Sequence, residues 1–321
     1  MTNKRASLSI AKRKALVEGI FIESPRFTRV KEMISRCHSH SKIAAEPECL
    51  LITGWQGTGK TTLRQDYARN YPRRIADAGV VVPVLTTTIP VPATVKGLST
   101  QLLWAMGDPK ATKGTGITQT LRLLDFAHEC GVELVILDEF QHFIDRDSNS
   151  ILDTAADWLK NFINNSGKPV VLLGMPYCDI ILRANAQLER RFTMRMSLEP
   201  FGWEKQAEQD ELKTFLTHLD KKLPFPVRSN LNLHETAFRL YCATNGYVGY
   251  LMNLVRGAAH LAINRSFDHI DLALLAEAYE ERLAARAPAR PNPFTEDIGK
   301  LVAQPFNEWE IWRGKLKRLL K

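Results

Sequence analysis

The sequence has no long apolar run, and no apolar segment follows its basic N-terminus. A membrane-spanning helix needs about 18 consecutive apolar residues, whereas the longest apolar stretches, such as 170–174, have the length of one strand. The basic residues Lys12, Arg13 and Lys14 are not followed by the apolar segment of a secretory signal. We therefore expect a cytoplasmic protein with no membrane partner.

Cysteine is scarce and scattered. The five cysteines form no Cys-x-x-Cys pair, which predicts reduced thiols rather than disulfides. The cluster Cys37-His38-Ser39-His40 contains metal-ligand types, but no second cluster at a suitable spacing completes a tetrahedral site. We interpret these four residues as ordinary helix-surface residues.

Acidic residues are outnumbered by basic ones. The chain has 43 Lys and Arg against 35 Asp and Glu, a formal net charge of +8 that favours polyanionic partners such as DNA or RNA. Because many basic proteins bind no nucleic acid, the charge alone leaves this question open. With 321 residues, of which 45% are hydrophobic, the chain can form one or two folded domains.

Short apolar runs alternate with helical patterns over the first two thirds of the chain. Buried strands of a parallel sheet have this character, so we predict an α/β domain with a parallel five-stranded sheet. The predicted strands are 50–53, 80–85, 134–137, 170–173 and 192–198.

Helical patterns replace the strands beyond Gly202, and they predict helices at 204–222, 233–245, 250–264 and 270–285. We divide the chain into an N-terminal helical extension (1–45), an α/β core (46–201), a helical lid (202–286) and a linker with a C-terminal tail (287–321). The tail contains Trp309, Trp312 and a basic end at 315–321. It is either a segment that docks a partner or a strap packed on the lid.

The segment Gly54-Trp55-Gln56-Gly57-Thr58-Gly59-Lys60-Thr61 matches the phosphate-binding pattern G-x-x-x-x-G-K-[ST] in full. It lies between an apolar run and a helix-like segment, as this loop requires. Glycines let backbone N–H groups approach phosphate oxygens, and the helix N-terminus adds its positive dipole end. Lys60 would neutralise the β- and γ-phosphates, Thr61 would bind Mg²⁺ through its hydroxyl, and Thr62 would be a further nucleotide contact.

An acidic pair, Asp138-Glu139, follows the third predicted strand. Asp138 is predicted to assist Mg²⁺ without binding it directly, and Glu139 to orient and activate a water molecule against the γ-phosphate. Acidic pairs after strands are also common as solvated turn residues, and the upstream phosphate-binding loop favours the catalytic interpretation. No Asn-Lys-x-Asp or Thr-Lys-x-Asp sequence is present, which favours ATP over GTP.

Two polar residues that are common in such ATPases are missing. The fourth predicted strand runs into Leu173-Gly174-Met175 without a polar side chain, and Tyr250 stands roughly where an arginine is often found. Arg256, two turns further on, is a weak substitute. These gaps predict slow hydrolysis in a protein that uses ATP mainly to assemble.

Together these motifs resemble the TniB/TnsC family of AAA+ transposition regulators over about residues 8–285. The most discriminating phrase is Asp138-Glu139-Phe140-Gln141-His142. The other phrases lie at 53–61, 92–98, 107–109 and 187–192, the last being Gln187-Leu188-Glu189-Arg190-Arg191-Phe192.

The resemblance implies an AAA+ P-loop core that binds ATP and Mg²⁺, with a helical lid. It also implies a ring or helical oligomer, hexameric or heptameric, that encircles double-stranded DNA and joins a target-selection protein of the TniQ type to a DDE transposase. ATP turnover would disassemble it. The length and the tail are similar to versions from transposons guided by a CRISPR effector.

Paired arginines, Arg190 and Arg191, precede the fifth predicted strand. In AAA+ assemblies an arginine at this position faces the neighbouring subunit's nucleotide, where its charged planar fork stabilises the phosphate oxygens. A structural ion pair is the alternative, and the sequence does not decide between the two residues.

Lys96, Lys110 and Lys113 lie between the second and third predicted strands, where the resemblance implies loops that face DNA. Lysines there would contact phosphates without reading bases, although solvated loop lysines are the ordinary alternative. Two other functions stay open. One is a replication factor such as a helicase loader or initiator, and the other is a signalling or secretion ATPase that acts on proteins without DNA.

Overall fold

The computed structural model describes residues 8–40, 46–77, 79–143, 149–179, 182, 186–286 and 290–302. They form two compact units. The described residues of the first, the helical unit, lie in 1–24 and 200–309, and those of the second, the sheet unit, lie in 25–199. In this part of the chain, no helix is both long enough and apolar enough to cross a bilayer.

The helices and the strands are each numbered in chain order. The helices are α1 (Ile10–Glu18), α2 (Pro25–His40), α3 (Lys60–Arg69), α4 (Val95–Met106), α5 (Gly116–Glu129), α6 (Asn149–Ser166), α7 (Ala186–Arg191), α8 (Gln206–Lys222), α9 (His234–Thr244), α10 (Val248–Asn264) and α11 (Leu272–Arg282). The strands are β1 (Leu50–Thr53), β2 (Arg74–Ala76), β3 (Gly79–Val81), β4 (Val84–Thr88), β5 (Leu134–Asp138), β6 (Val170–Gly174) and β7 (Met194–Ser197). Short 3-10 turns lie at Phe140–Phe143, Pro176–Cys178, Ala284–Arg286 and Ile298–Lys300.

The sheet unit contains a five-stranded sheet in the order β4-β5-β6-β1-β7, and all of its pairings are parallel. This confirms the predicted fold class. Strands β5 and β6 are buried along their whole length, as expected of a parallel sheet that is covered on both faces. Thr53 of β1 pairs with Gly174 of β6. The carboxyl ends of β1, β5 and β6 therefore meet at one edge, where the sequence has its phosphate-binding loop and acidic pair.

The apolar run 80–85 does not form one strand. Its first part belongs to β3, which pairs antiparallel with β2 in a separate two-stranded sheet, and β4 begins only at Val84. Pro83 separates the two, since proline has no N–H to donate to a ladder. Its carbonyl instead accepts hydrogen bonds from the N–H groups of Glu133 (2.8 Å) and Leu134 (3.1 Å).

The helical unit consists of α1 and α8 to α11 around one apolar core. Arg239, on α9, is 7% exposed and donates to the carbonyl oxygens of Pro293 (2.6 Å) and Glu296 (2.8 Å). Phe294 is also buried in this core. The described part of the predicted linker, 290–302, is therefore held against the helices. The predicted docking residues Trp309 and Trp312 and the basic end at 315–321 lie outside the described residues.

The segment 1–45, predicted as one N-terminal extension, contributes to both units. Helix α1 belongs to the helical unit, where Arg256 of α10 donates to the carbonyl oxygens of Glu18 (3.0 Å) and Ile20 (3.2 Å). Helix α2 belongs to the sheet unit and buries residues at intervals of three and four, including Phe27, Val30 and Ile34.

The interpretation of the Cys37 to His40 cluster as surface residues is wrong for its first half. Cys37 is fully buried and His38 is 3% exposed. The His38 ring contacts the Tyr67 hydroxyl through Nδ1 (3.0 Å) and the Glu133 carboxylate through Nε2 (3.0 Å). These partners lie 29 and 95 residues away along the chain, so local sequence gives no sign of them.

All five cysteines are buried, and none of them forms a disulfide. Burial raises the pKa of Cys49 to about 12 and that of Cys242 to about 11. Thiols with such a pKa carry almost no thiolate at neutral pH and react slowly. Among the described residues, no group of three or more His, Cys, Asp and Glu side chains is arranged to bind a metal ion.

Candidate nucleotide site

The loop between β1 and α3 has a shape that only glycine allows at several positions. Gly57 and Gly59 have φ angles of 85° and 100°, in the left-handed region that side chains disfavour. A Cβ on Gly54 would lie 2.6 Å from the Thr58 hydroxyl and 2.7 Å from the Leu198 carbonyl oxygen. The glycines of the motif are therefore required by the backbone path itself.

Lys60 begins α3 and is only 6% exposed. Its Nζ donates to the carbonyl oxygens of Gly54 (2.6 Å) and Trp55 (3.0 Å), so the ammonium group lies inside the curve of the loop. The N-cap residue, Gly59, has no side chain to cap the first N–H groups of α3. Unfilled N–H groups at a helix N-terminus, together with a buried cation, form an anion site that suits phosphate oxygens.

The remaining loop residues are arranged around this anion site. Thr58 is buried and donates through its hydroxyl to the Trp55 carbonyl (2.8 Å), which stabilises the turn. Gln56, Thr61 and Thr62 are exposed, so their polar groups can be reached by a bound molecule.

The predicted magnesium residues are brought together from positions 77 residues apart. The Thr61 hydroxyl donates to Oδ2 of Asp138 over 2.9 Å. Asp138 is 1% exposed, and its other oxygen, Oδ1, accepts from the N–H of Glu139 over 2.9 Å. Hydroxyl and carboxylate oxygens are ligand types that suit Mg²⁺ beside the phosphates of a nucleotide.

Arg64 is a member of this cluster that the motifs do not include. Its Nε lies 3.3 Å from Oδ2 of Asp138. The residue stands one helical turn after Lys60 on α3, so it could have been found from the i, i+4 spacing. The negative charge of Asp138 is therefore partly neutralised by Arg64, independently of any metal ion.

Glu139 has a strained backbone. Its φ is 59°, a left-handed conformation that costs a non-glycine residue about 1 to 2 kcal/mol. Such strain is enriched at functional sites, where the surrounding structure maintains it. The half-buried carboxylate accepts a hydrogen bond from the amide nitrogen of Gln141.

The two candidate arginines at the end of α7 differ in their contacts. Arg191 lies 3.7 Å from the Glu46 carboxylate, and its side chain is 14% exposed. Arg190 is exposed and has no hydrogen bond or ion pair with any described residue. Of the two arginines, Arg190 has the more accessible side chain.

Arg256, the possible substitute for the missing lid arginine, is already bound within the helical unit. Arg256 is bound to the end of α1, as described above, and its Nε lies 3.8 Å from the Glu18 carboxylate. The Tyr250 ring is covered by the guanidinium of Arg286, with 4.1 Å between its Cζ and the ring centroid. Arg286 thus brings a positive charge to Tyr250 from 36 residues further along the chain.

The three candidate DNA-binding lysines, Lys96, Lys110 and Lys113, are all exposed. Arg122 of α5 pairs with the buried Asp108 (2.8 Å) and donates to the carbonyl oxygen of Lys110 (2.6 Å). Asp108 also accepts from the N–H of Lys110 (2.7 Å). The backbone of the loop between α4 and α5 is fixed by these bonds, while its lysine side chains stay accessible.

A sequence profile of the family described as bacterial TniB protein matches residues 12–202 of the chain. This is more than half of its 321 residues. The chain belongs to the bacterial TniB family. The matched region of this TniB protein contains the phosphate loop, the acidic pair and the paired arginines. No curated protein matches the chain significantly.

Several solved structures share the fold of this TniB protein. The ORC1 protein of Aeropyrum pernix in complex with DNA has 14% identity and a TM-score of 0.62, over 85% of this chain and 70% of that chain. The ORC2 protein of the same organism, in ADPNP-ADP complexes, has 15% identity and a TM-score of 0.56, over 95% and 89%. Cdc6p from Pyrobaculum aerophilum has 11% identity and a TM-score of 0.59, over 83% and 70%. At these identities the likeness establishes the AAA+ fold and no more.

Proposed function

We propose that this TniB protein is an ATP-dependent oligomeric regulator of transposition that binds double-stranded DNA. In this proposal it bridges a target-selection protein of the TniQ type and a DDE transposase. The contact between the Thr61 hydroxyl and the Asp138 carboxylate carries the nucleotide part, because it joins the phosphate loop to the acidic strand at 2.9 Å. Membership of the TniB family supports the role in transposition.

The site residues divide the work of ATP binding and hydrolysis. Lys60 exchanges its two neutral carbonyl acceptors for ionised β- and γ-phosphate oxygens, which bind an ammonium group more strongly. Thr61, with help from Asp138, would hold Mg²⁺, which would neutralise charge at the phosphates when bound. Glu139 orients the attacking water and accepts its proton.

Completion of the site by a second protomer explains why ATP would control assembly. All of the residues named above lie in the sheet unit of one protomer. The γ-phosphate needs one further group, a cation from outside that protomer. Arg190 of an adjoining copy can meet this need, since its exposed guanidinium has no partner among the described residues. ATP then favours the oligomer, and its hydrolysis removes the γ-phosphate that the arginine binds.

The lysines of the α4 region provide a surface for a DNA backbone. Lys96 lies beside the start of α5, because a Cβ on Gly116 would be 3.8 Å from the Cβ of Lys96. Lys110 and Lys113 lie on the loop that leads to the same helix. Phosphate contacts of this kind position a protein without reading sequence, as a factor that accepts many target sites requires.

Assembly on DNA tests the proposal. Wild-type protein and the Lys60→Ala variant are mixed with duplex DNA and a non-hydrolysable ATP analogue, and assemblies are measured by sedimentation and electron microscopy. We expect salt-sensitive oligomers with the wild type only. The loss of two charge-assisted hydrogen bonds should weaken ATP binding by Lys60→Ala on the order of 100-fold. Absence of any wild-type oligomer on DNA would contradict the proposal.

Fold likeness to the ORC and Cdc6 structures makes a replication initiator or helicase loader the second candidate. Capture experiments with this protein as bait separate the two functions. Nucleotide-dependent binding of a DDE transposase supports the first, and binding of a hexameric helicase supports the second. Nucleotide-dependent protein binding that is indifferent to DNA would instead indicate a signalling or secretion ATPase.

A further inference from the structure

The end of β6 has no room for a side chain. This strand lies between the acidic strand β5 and the phosphate-loop strand β1. A Cβ on its last residue, Gly174, would lie 2.4 Å from Sγ of Cys178 and 3.3 Å from Oε1 of Gln141. The Gly174 carbonyl also accepts from the N–H of Gly54 over 3.1 Å. The strand therefore reaches the nucleotide loop through its backbone alone.

Gln141 fills the space that the glycine leaves. It lies in the 3-10 turn directly after β5 and is 7% exposed. Its Oε1 accepts from the N–H of Met175 over 3.2 Å, and its Nε2 donates to the Glu139 carboxylate. The orientation of the amide is determined by its partners, because Met175 offers only a donor there and an ionised carboxylate only accepts.

We propose that Gln141 is a positioning residue for ATP hydrolysis, which fixes the Glu139 carboxylate relative to the end of β6 and so supplies the polar group that Gly174 cannot carry. This inference rests on the proposed ATPase function. Gln141 acts through Glu139 and is not required to touch the nucleotide.

The chemistry of the pair is compatible with a working base. An ionised carboxylate has about four lone-pair sites, so one hydrogen bond from Gln141 leaves others for a water molecule. A glutamate side chain without this bond could occupy several rotamers. A displacement of about 1 Å at a reacting group can lower a rate on the order of 100-fold. Holding one rotamer is therefore a sufficient reason for a buried amide at this position.

Two substitutions of Gln141 test the inference. Gln141→Met keeps the length of the side chain and removes both hydrogen bonds. Gln141→Glu keeps an acceptor for Met175 but brings a second carboxylate against Glu139. We measure the kcat of ATP hydrolysis without DNA and the Kd of a fluorescent ATP analogue. We expect kcat to fall roughly 10- to 100-fold for Gln141→Met and further for Gln141→Glu, with Kd changed by no more than about twofold.

A double-mutant cycle with Glu139→Gln distinguishes positioning from general support of the fold. If Gln141 acts through Glu139, Gln141→Met should cause no further loss of the residual rate in the Glu139→Gln background. Gln119→Met is the matched control, since Gln119 is a fully buried glutamine in the same unit that bonds to the Ala111 carbonyl (2.6 Å). It should lower the melting temperature without a selective loss of kcat.

Three results would overturn the inference: an unchanged or raised kcat for Gln141→Met, a Kd that weakens in parallel with kcat, or a full further loss in the Glu139→Gln background. Failure of the inference can be told apart from failure of the proposed function. If the wild type neither binds nor hydrolyses ATP, the proposed function itself fails. If the wild type hydrolyses ATP and Gln141→Met matches it, only the role of Gln141 is wrong.

Discussion

Three arginines of the helical unit differ from Arg190 of the sheet unit in what they bind. In the helical unit, Arg239, Arg256 and Arg282 each donate hydrogen bonds to oxygen atoms of the same unit. In the sheet unit, Arg190 is exposed and has no such bond with a described residue. A guanidinium that is already bound within its own unit contributes to stability, whereas one without a partner can bind a second molecule. We therefore expect substitution of Arg190 to lower catalysis, and substitution of the bound arginines of the helical unit to lower stability.

The largest effect is expected from the exposed arginine of the sheet unit. Arg190→Ala should lower kcat for ATP by on the order of 1,000-fold if its guanidinium completes a neighbouring site. Arg191→Ala removes only a 3.7 Å pair with the exposed Glu46, and should change stability by less than about 1 kcal/mol.

Mixing experiments check this assignment. Arg190→Ala keeps an intact site of its own, and Glu139→Gln keeps an intact arginine, so mixed oligomers should recover part of the activity. An equal loss of kcat in Arg191→Ala would break the distinction between the two residues. Absence of recovery in mixtures would show that Arg190 does not act across protomers.

A second large effect distinguishes the two carboxylates at the end of β5. Glu139→Gln should lower kcat at least about 100-fold, since general base catalysis of this size is lost, while the affinity for ATP stays near the wild-type value. Assemblies on DNA should then persist, because ATP is bound but not consumed. Measured Kd, kcat and filament lifetime check this. A large loss of ATP affinity in Glu139→Gln would show that Glu139 contributes to binding.

The sequence predicts the local features of the molecule better than its long-range contacts. The phosphate loop depends on backbone angles of consecutive residues, so its motif predicts it directly, and the parallel sheet follows from buried apolar runs. Gln141 reaches the space beside Gly174 and the N–H of Met175 only because β5 and β6 are neighbours, a contact that no local pattern contains. Local sequence likewise gives no sign of the burial of His38 or of the attachment of α1 to α10, because the partners lie 95 and 238 residues away.

An intermediate effect is expected from a buried arginine of the helical unit. Arg239→Met removes two hydrogen bonds to the carbonyl oxygens of Pro293 and Glu296 as well as the ion pair with Glu235 (2.8 Å). It should lower the free energy of unfolding by at least about 2 kcal/mol. Protection of the amides at 290–302 from hydrogen exchange should fall, and the affinity of the sheet unit for ATP should not. Chemical denaturation and hydrogen-exchange measurements check this. A selective loss of ATP binding would show instead that Arg239 contributes to the nucleotide site.

The smallest effects are expected at the surface lysines. If Lys96, Lys110 and Lys113 contact phosphates, each change to alanine should weaken DNA binding several-fold and reduce the slope of log K against log salt concentration by about 1. Lys300→Ala in the helical unit is the matched control, since its side chain is 73% exposed and its removal lowers the net charge equally. Equal weakening by Lys300→Ala would mean that DNA responds to the total charge of +8 rather than to a surface of the sheet unit.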